Sequence, residues 1–259
     1  MREQSVTRRG AAAAILTLGL TCLMLHQSSA SALDAWRVLP IRSQQEFELG
    51  RIGGEAEQHL HGIARSPSDP NRIYWSHDVG QVWRSTDAGE TWRKTVGKGL
   101  YLPCSQSIEV DPVNPETVFV IVDNAWNWMA EDFQGLYRST DGGDNWEFAL
   151  PTAVNFVDNA NPITHRMYTH NIAYDPCSVT SSGAKVWYAA FVENGLYRSD
   201  DYGVTWGKVA DLADHDTLYG IYTHKSDGAT VYIASRDGLF VYSQSNGLRP
   251  LGNLPAGAV

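Results

Sequence analysis

The sequence predicts an all-β fold, a β-propeller built of four-stranded blades. Three observations carry this. Residues 84–92, 138–146 and 198–206 repeat one pattern, R-S-x-D-x-G-x-T/N-W. Their tryptophans stand 54 and 60 residues apart, about the length of one repeating supersecondary unit. Each copy also sits in the same setting of short β-rich runs and turn signals, which is how a propeller blade reads.

Each element of the unit follows in order. A short inner run comes first, at residues 61–65, 106–110, 170–174 and 219–223. It ends in turn formers such as Ser68-Asp69-Pro70-Asn71 and Asp111-Pro112. An apolar run follows at 73–75, 118–122, 186–191 and 231–234, then a short strand such as Gly135-Leu136-Tyr137, Gly195-Leu196-Tyr197 or Gly238-Leu239-Phe240. The repeated motif fills the next turn, and a fourth strand starts at its tryptophan. The blades span approximately 59–98, 105–150, 169–210 and 218–253, with a worn last motif at Ser243-Gln244-Ser245-Asn246-Gly247. In the motif the aspartate can accept turn amides, the glycine supplies positive φ, and the tryptophan packs under the blade. Asp87, Asp141 and Asp201 are therefore read as structural, and Arg84, Arg138 and Arg198 are not a substrate-binding arginine cluster.

The chain of 259 residues carries 20 basic and 29 acidic side chains, a net charge of −9. That balance excludes a nucleic-acid binder, which needs a basic face against phosphates, and argues equally against an anionic membrane surface. The N-terminus reads as a signal peptide over residues 1–32. A basic start with Arg2, Arg8 and Arg9 precedes an apolar stretch and the small-x-small site Ala30-Ser31-Ala32. General secretion is the expectation, and the Arg8-Arg9 pair leaves twin-arginine export open. The mature propeller, 33–259, is then secreted or periplasmic, with no membrane span. Cys104 and Cys177 are the mature cysteines, and their spacing does not decide whether they pair.

The repeated motif resembles the Asp-box, or BNR repeat, found in sialidases, sortilin-type receptors, photosystem assembly factors and the xyloglucanases of glycoside hydrolase family 74. Residues 52–93 resemble the start of a family 74 enzyme: Ile52-Gly53-Gly54, a strand, a Pro-rich turn, and the loop Ser76-His77-Asp78-Val79-Gly80-Gln81. The resemblance implies a catalytic role for Asp78, whose counterparts in later blades are Val192 and Ser235. The loop departs from the family at His77, in place of threonine, and at Gln81, in place of glycine. From the residues alone, Asp78 also reads as a turn former ahead of Gly80. Classical sialidase chemistry fits poorly, because Arg37-Val38-Leu39-Pro40 is one residue too long for the expected segment.

Other candidates lie on the same face. Trp126 and Trp128, on a polar loop, suit sugar rings or a loop folded onto its blade. His61, Gln106, His170 and Tyr219 fall at equivalent positions at the channel mouth. His61 and His170 come from non-adjacent units with no carboxylate at that register, so neither metal nor other cofactor is expected, and they read as hydrogen-bonding residues of the substrate path. Glycosidases work with two carboxylates. In the xyloglucanases the second comes from a second propeller, and Glu131, Asp132, Glu193 and Asp237 are not singled out here.

Four units fall short of the six or more at which propellers of this resemblance close, so an incomplete propeller is the expectation, against a four-blade ring or closure by association. The leading functional expectation is a secreted glycan-active propeller, a glycoside hydrolase on β-glucan or xyloglucan-type polysaccharide if further blades supply the second carboxylate. The alternative is a non-catalytic propeller that binds a protein or glycan partner.

Overall fold

The computed structural model describes residues 60–77, 81–101, 104–123, 133–152, 170–192, 194–212 and 218–252. The expected signal peptide, Asp78, Trp126 and Trp128 lie outside these residues. The described chain is all-β, with four four-stranded antiparallel sheets formed in chain order. The first holds β1 (Leu60–Arg65), β2 (Ile73–His77), β3 (Val82–Ser85) and β4 (Arg93–Lys94). The second holds β5 (Cys104–Val110), β6 (Val118–Asp123), β7 (Gly135–Ser139) and β8 (Glu147–Pro151). In the third, β9 (Ile172–Tyr174) pairs with β12 (Trp187–Phe191), followed by β13 (Gly195–Ser199) and β14 (Gly207–Asp211). A small hairpin unforeseen from the sequence, β10 (Val179–Thr180) and β11 (Gly183–Ala184), fills the connection between β9 and β12. The fourth sheet is β15 (Leu218–Thr223), β16 (Thr230–Ser235), β17 (Gly238–Ser243) and β18 (Gly247–Pro250).

The sheets pack face to face in sequence, because their middle strands are apolar on both sides. Ala64, Tyr74 and Val82 of the first meet Ile108, Val120 and Tyr137 of the second. The alternate residues of β6 and β7, Phe119, Ile121 and Leu136, turn the other way onto Ile172, Trp187 and Ala189. Tyr188, Ala190 and Leu196 then meet Leu218, Ile221 and Ile233 of the fourth sheet. This is blade packing, and the fold is that of a β-propeller with four blades described.

The repeated turn is built alike in three blades. In the first, Thr91 N donates to Asp87 Oδ1 at 2.8 Å and Thr91 Oγ1 to Oδ2 at 2.5 Å. Gly89 N donates to Ser85 Oγ at 2.8 Å, and Trp92 Nε1 to Gly89 O at 3.1 Å. Asn145 replaces the threonine in the second blade, donating to Asp141 from its backbone at 2.8 Å and its side-chain amide at 2.6 Å. Thr205 closes the third on Asp201 at 2.8 and 2.6 Å. The worn fourth copy keeps a turn in which Asn246 Nδ2 donates to Ser243 Oγ at 3.2 Å.

These turns also join blades. Gly142 and Gly143 have φ of 70° and 92°, and a methyl on Gly142 would collide with the Arg84 guanidinium of the preceding blade. Arg84 Nη1 donates to the carbonyls of Asp141 at 3.1 Å and Gly142 at 2.7 Å, and Nη2 meets Asp144 at 3.3 Å. Gly203, in the third turn, lies against the Phe119 ring of the second blade in the same manner.

Two outcomes follow. Gly142→Ala adds both a left-handed penalty and a clash, so it is expected to cost roughly 1–3 kcal/mol in urea unfolding. Ala88→Gly, at the exposed equivalent position with φ 58°, is expected to be neutral or slightly stabilising. Burial nudges the Asp201 carboxyl upward, but the hydrogen bonds from Thr205, Ser199 and Val204 outweigh this and hold it at about 2. A depressed carboxylate contributes stability that is fully present above its unfolded value near 4 and is lost as pH falls towards 2. Asp201→Ala is therefore expected to lower Tm at pH 7, with the gap to the wild type narrowing towards pH 2.

Candidate functional site

The first strands of three sheets share one irregularity. Register jumps from Leu60 to Gly62, Ser105 to Ser107 and Leu218 to Gly220, leaving His61, Gln106 and Tyr219 as bulge residues. A bulge re-aims a side chain out of the pleat. His170, at the corresponding place in the third blade, lies just ahead of β9. It bridges to the fourth blade, with Ile221 N donating to His170 O at 2.7 Å and His170 N to Tyr219 O at 3.4 Å.

His61 is buried, and its Nδ1 lies 3.2 Å from Ser105 O of the second blade. His77 ends β2 opposite Leu60, so both histidines occupy one corner of the first blade. The His77 ring is walled by aromatics, with Trp75 edge-on at 5.2 Å and Trp83 at 6.5 Å. His77 N donates to Gln81 O at 3.0 Å, holding the end of β2 to the residue before β3. Gln81 holds φ of 58°, and its Nε2 donates to Leu100 O at 3.0 Å, tying that residue to the connection into the second blade.

His170 stands apart from this corner, with a partner that the sequence did not reveal. Glu109 of β5, three positions after Gln106, places Oε2 3.5 Å from His170 Nε2. A carboxylate thus does stand beside His170, supplied by the neighbouring blade. Burial pushes the Glu109 carboxyl up to about 7, against the pull of the Val110 amide that donates to it at 2.9 Å. Burial also holds His170 below its ordinary value. Burial thus disfavours the charged form of both partners, and Tyr222 stacks on the His170 imidazole at 5.5 Å. The signal available in the sequence was a single acidic residue inside the otherwise uncharged strand Cys104–Val110.

Among the described residues no three His, Cys, Asp or Glu side chains gather as a metal site. Neither Cys104, which is buried, nor Cys177, which is exposed, forms a disulfide. No described helix is long and apolar enough to cross a membrane.

No protein-family model matches the chain. A xyloglucanase of Acetivibrio thermocellus is 32% identical over 112 residues, covering 43% of this chain and 12% of that protein. A xyloglucanase of Hypocrea jecorina is 24% identical over 212 residues, 80% of this chain and 24% of its own length. Among solved structures, the glycoside hydrolase family 74 xyloglucanase of Xanthomonas campestris superposes with a TM-score of 0.59 at 20% identity, over 76% of this chain and 31% of that one. YCF48 of Cyanidioschyzon merolae gives 0.52 at 16% identity, over 79% and 60%. The chain is similar in sequence to xyloglucanases, and spans between 12% and 24% of the length of these two curated relatives. At these identities the structural likeness shows the propeller fold.

The Glu109 carboxyl gives a pH signature of its own. A carboxyl raised in the folded state binds its proton more tightly there than in the unfolded chain, so its contribution to stability falls as pH rises from about 4.5 to about 7. Glu109→Gln removes that loss. The difference in Tm between Glu109→Gln and wild type is expected to move in favour of the variant between pH 5 and pH 8, as read by thermal denaturation at each pH.

Proposed function

We propose that this chain is an extracellular glycan-active propeller whose substrate class is a β-glucan of the xyloglucan type. The observation that carries the reading is the 32% identity over 112 residues with a xyloglucanase. The commitment of Asp87, Asp141 and Asp201 to turn hydrogen bonds supports it further, because these carboxylates are then not the chemical ones. On this reading the repeated turns are Asp-boxes, residues 1–32 are a signal peptide, and 33–259 form the exported propeller.

Asp78 is then the acid or base, between His77 and Gln81 in sequence. Trp126 and Trp128 stack sugar rings, and His61, His77 and His170 line the path with hydrogen-bonding groups. Hydrolysis at a glycosidic carbon uses two carboxylates, one to protonate the leaving oxygen and one to activate water or form the glycosyl bond. The family resemblance assigns the second to blades outside this sequence.

The test is release of reducing ends from soluble xyloglucan. Release needs the second carboxylate as well, so the assay uses the protein with the further blades that the resemblance implies; it is expected to release reducing ends, and Asp78→Ala is expected to lose about 10²–10⁴-fold in rate while keeping glucan affinity. Unchanged hydrolysis by Asp78→Ala would sink the role of Asp78. Binding without release by the wild type would identify a non-catalytic glycan-binding propeller.

A further inference from the structure

The described residues also hold a ring pair without a role in the foregoing. Tyr101 lies in the connection from β4 to β5, and Phe133 in the connection from β6 to β7. Their ring centroids are 4.8 Å apart with planes at 44°. Tyr101 is 65% exposed and Phe133 37%. Among the described residues this is the one ring contact in which both partners are exposed.

The backbone beneath both rings is held firmly. Leu100, the residue before Tyr101, is buried, donates to Gly97 O at 3.0 Å and accepts the Gln81 side-chain amide at 3.0 Å. The carbonyl of Phe133 accepts the Tyr137 hydroxyl at 2.7 Å, and Thr152 N donates to the carbonyl of Gln134 at 3.2 Å. Two rings fixed in water on a satisfied backbone mark a contact surface rather than a frayed loop. The exposed rings offer apolar faces, and Tyr101 adds a hydroxyl. A pyranose matches that chemistry, with C–H groups on its face and hydroxyls around its rim. The location supports the same occupant, since Gln81, which accepts the His77 amide, donates its side-chain amide to Leu100 O beside Tyr101.

We propose that Tyr101 and Phe133 form a stacking subsite for one pyranose residue of a β-glucan chain, on the side of the blade that Gln81 ties to Leu100. This rests on the glycan-active reading above. The experiment is isothermal titration of the full chain with xyloglucan oligosaccharide and with cellohexaose. Tyr101→Ala and Phe133→Ala are each expected to weaken binding about threefold to tenfold with Tm unchanged. The double variant should lose less than the product of the two, because the rings act as one surface. Tyr101→Trp should bind at least as well as wild type, and Val96→Ala, at another exposed apolar residue, should bind as wild type. Equal affinity for wild type and both alanine variants would overturn the subsite and leave the glycan reading standing. No binding of either sugar by the wild type would overturn both.

Discussion

A sheet that is apolar on both faces has to be covered on both, and the arrangement of this chain follows from that need. Strand β6 reads Val-Phe-Val-Ile-Val-Asp, a continuous apolar run rather than an alternation of apolar and polar residues. Its valines at 118, 120 and 122 serve the junction with the first blade, and Phe119 and Ile121 serve the junction with the third. Strand β12, Trp-Tyr-Ala-Ala-Phe, divides in the same way. The outer strands escape this demand, and β4 and β14 carry exposed residues instead. Large side chains buried at such junctions stabilise by about 1.5–3 kcal/mol each, so each blade is held chiefly by its neighbours.

The repeated turns act as spacers in this stack. A glycine in the second and third turns lies on the preceding blade, against Arg84 in one case and Phe119 in the other. Arg84 is nearly buried, and its charge is tolerable there because two carbonyls, Asp144 and Glu116 surround it. The equivalent Arg138 turns to Glu147 and Arg198 to Asp200, within their own blades. One motif position thus makes a junction contact in one blade and a local pair in two. Repetition in sequence specifies the turn, while the contacts beyond it depend on what the adjacent blade presents.

That distinction explains what was legible in the sequence. The propeller was, because strands, turns and their spacing are local and occur several times over. The turn role of Asp87, Asp141 and Asp201 was legible for the same reason, as was the equivalence of His61, Gln106, His170 and Tyr219. What escaped was every feature made between blades. Glu109 and His170 are 61 positions apart and belong to different repeats, so no spacing rule links them. Left-handed backbone at Ala88 and Tyr202 was hidden because neither is a residue that asks for it. The hairpin of β10 and β11 was missed because it is an insertion peculiar to one unit. It is anchored across the junction by Asp111, whose Oδ2 accepts Ala184 N at 2.9 Å.

The carboxylates separate by hydrogen-bond supply rather than by residue type. Each turn aspartate accepts from the serine two before it and from both donors of the threonine or asparagine four after it. Such a group stays ionised far below neutrality and holds no proton to give. Glu109 accepts one backbone amide, faces His170 and is pushed up to about 7 by burial. The turn end of the blades is therefore saturated and chemically quiet. A carboxyl able to exchange a proton near neutrality stands instead on an inner strand, at a junction that the turns themselves hold in register. Stability and reactivity are drawn from the same residue class in this chain, and the number of donors that the fold aims at each carboxylate decides which it serves.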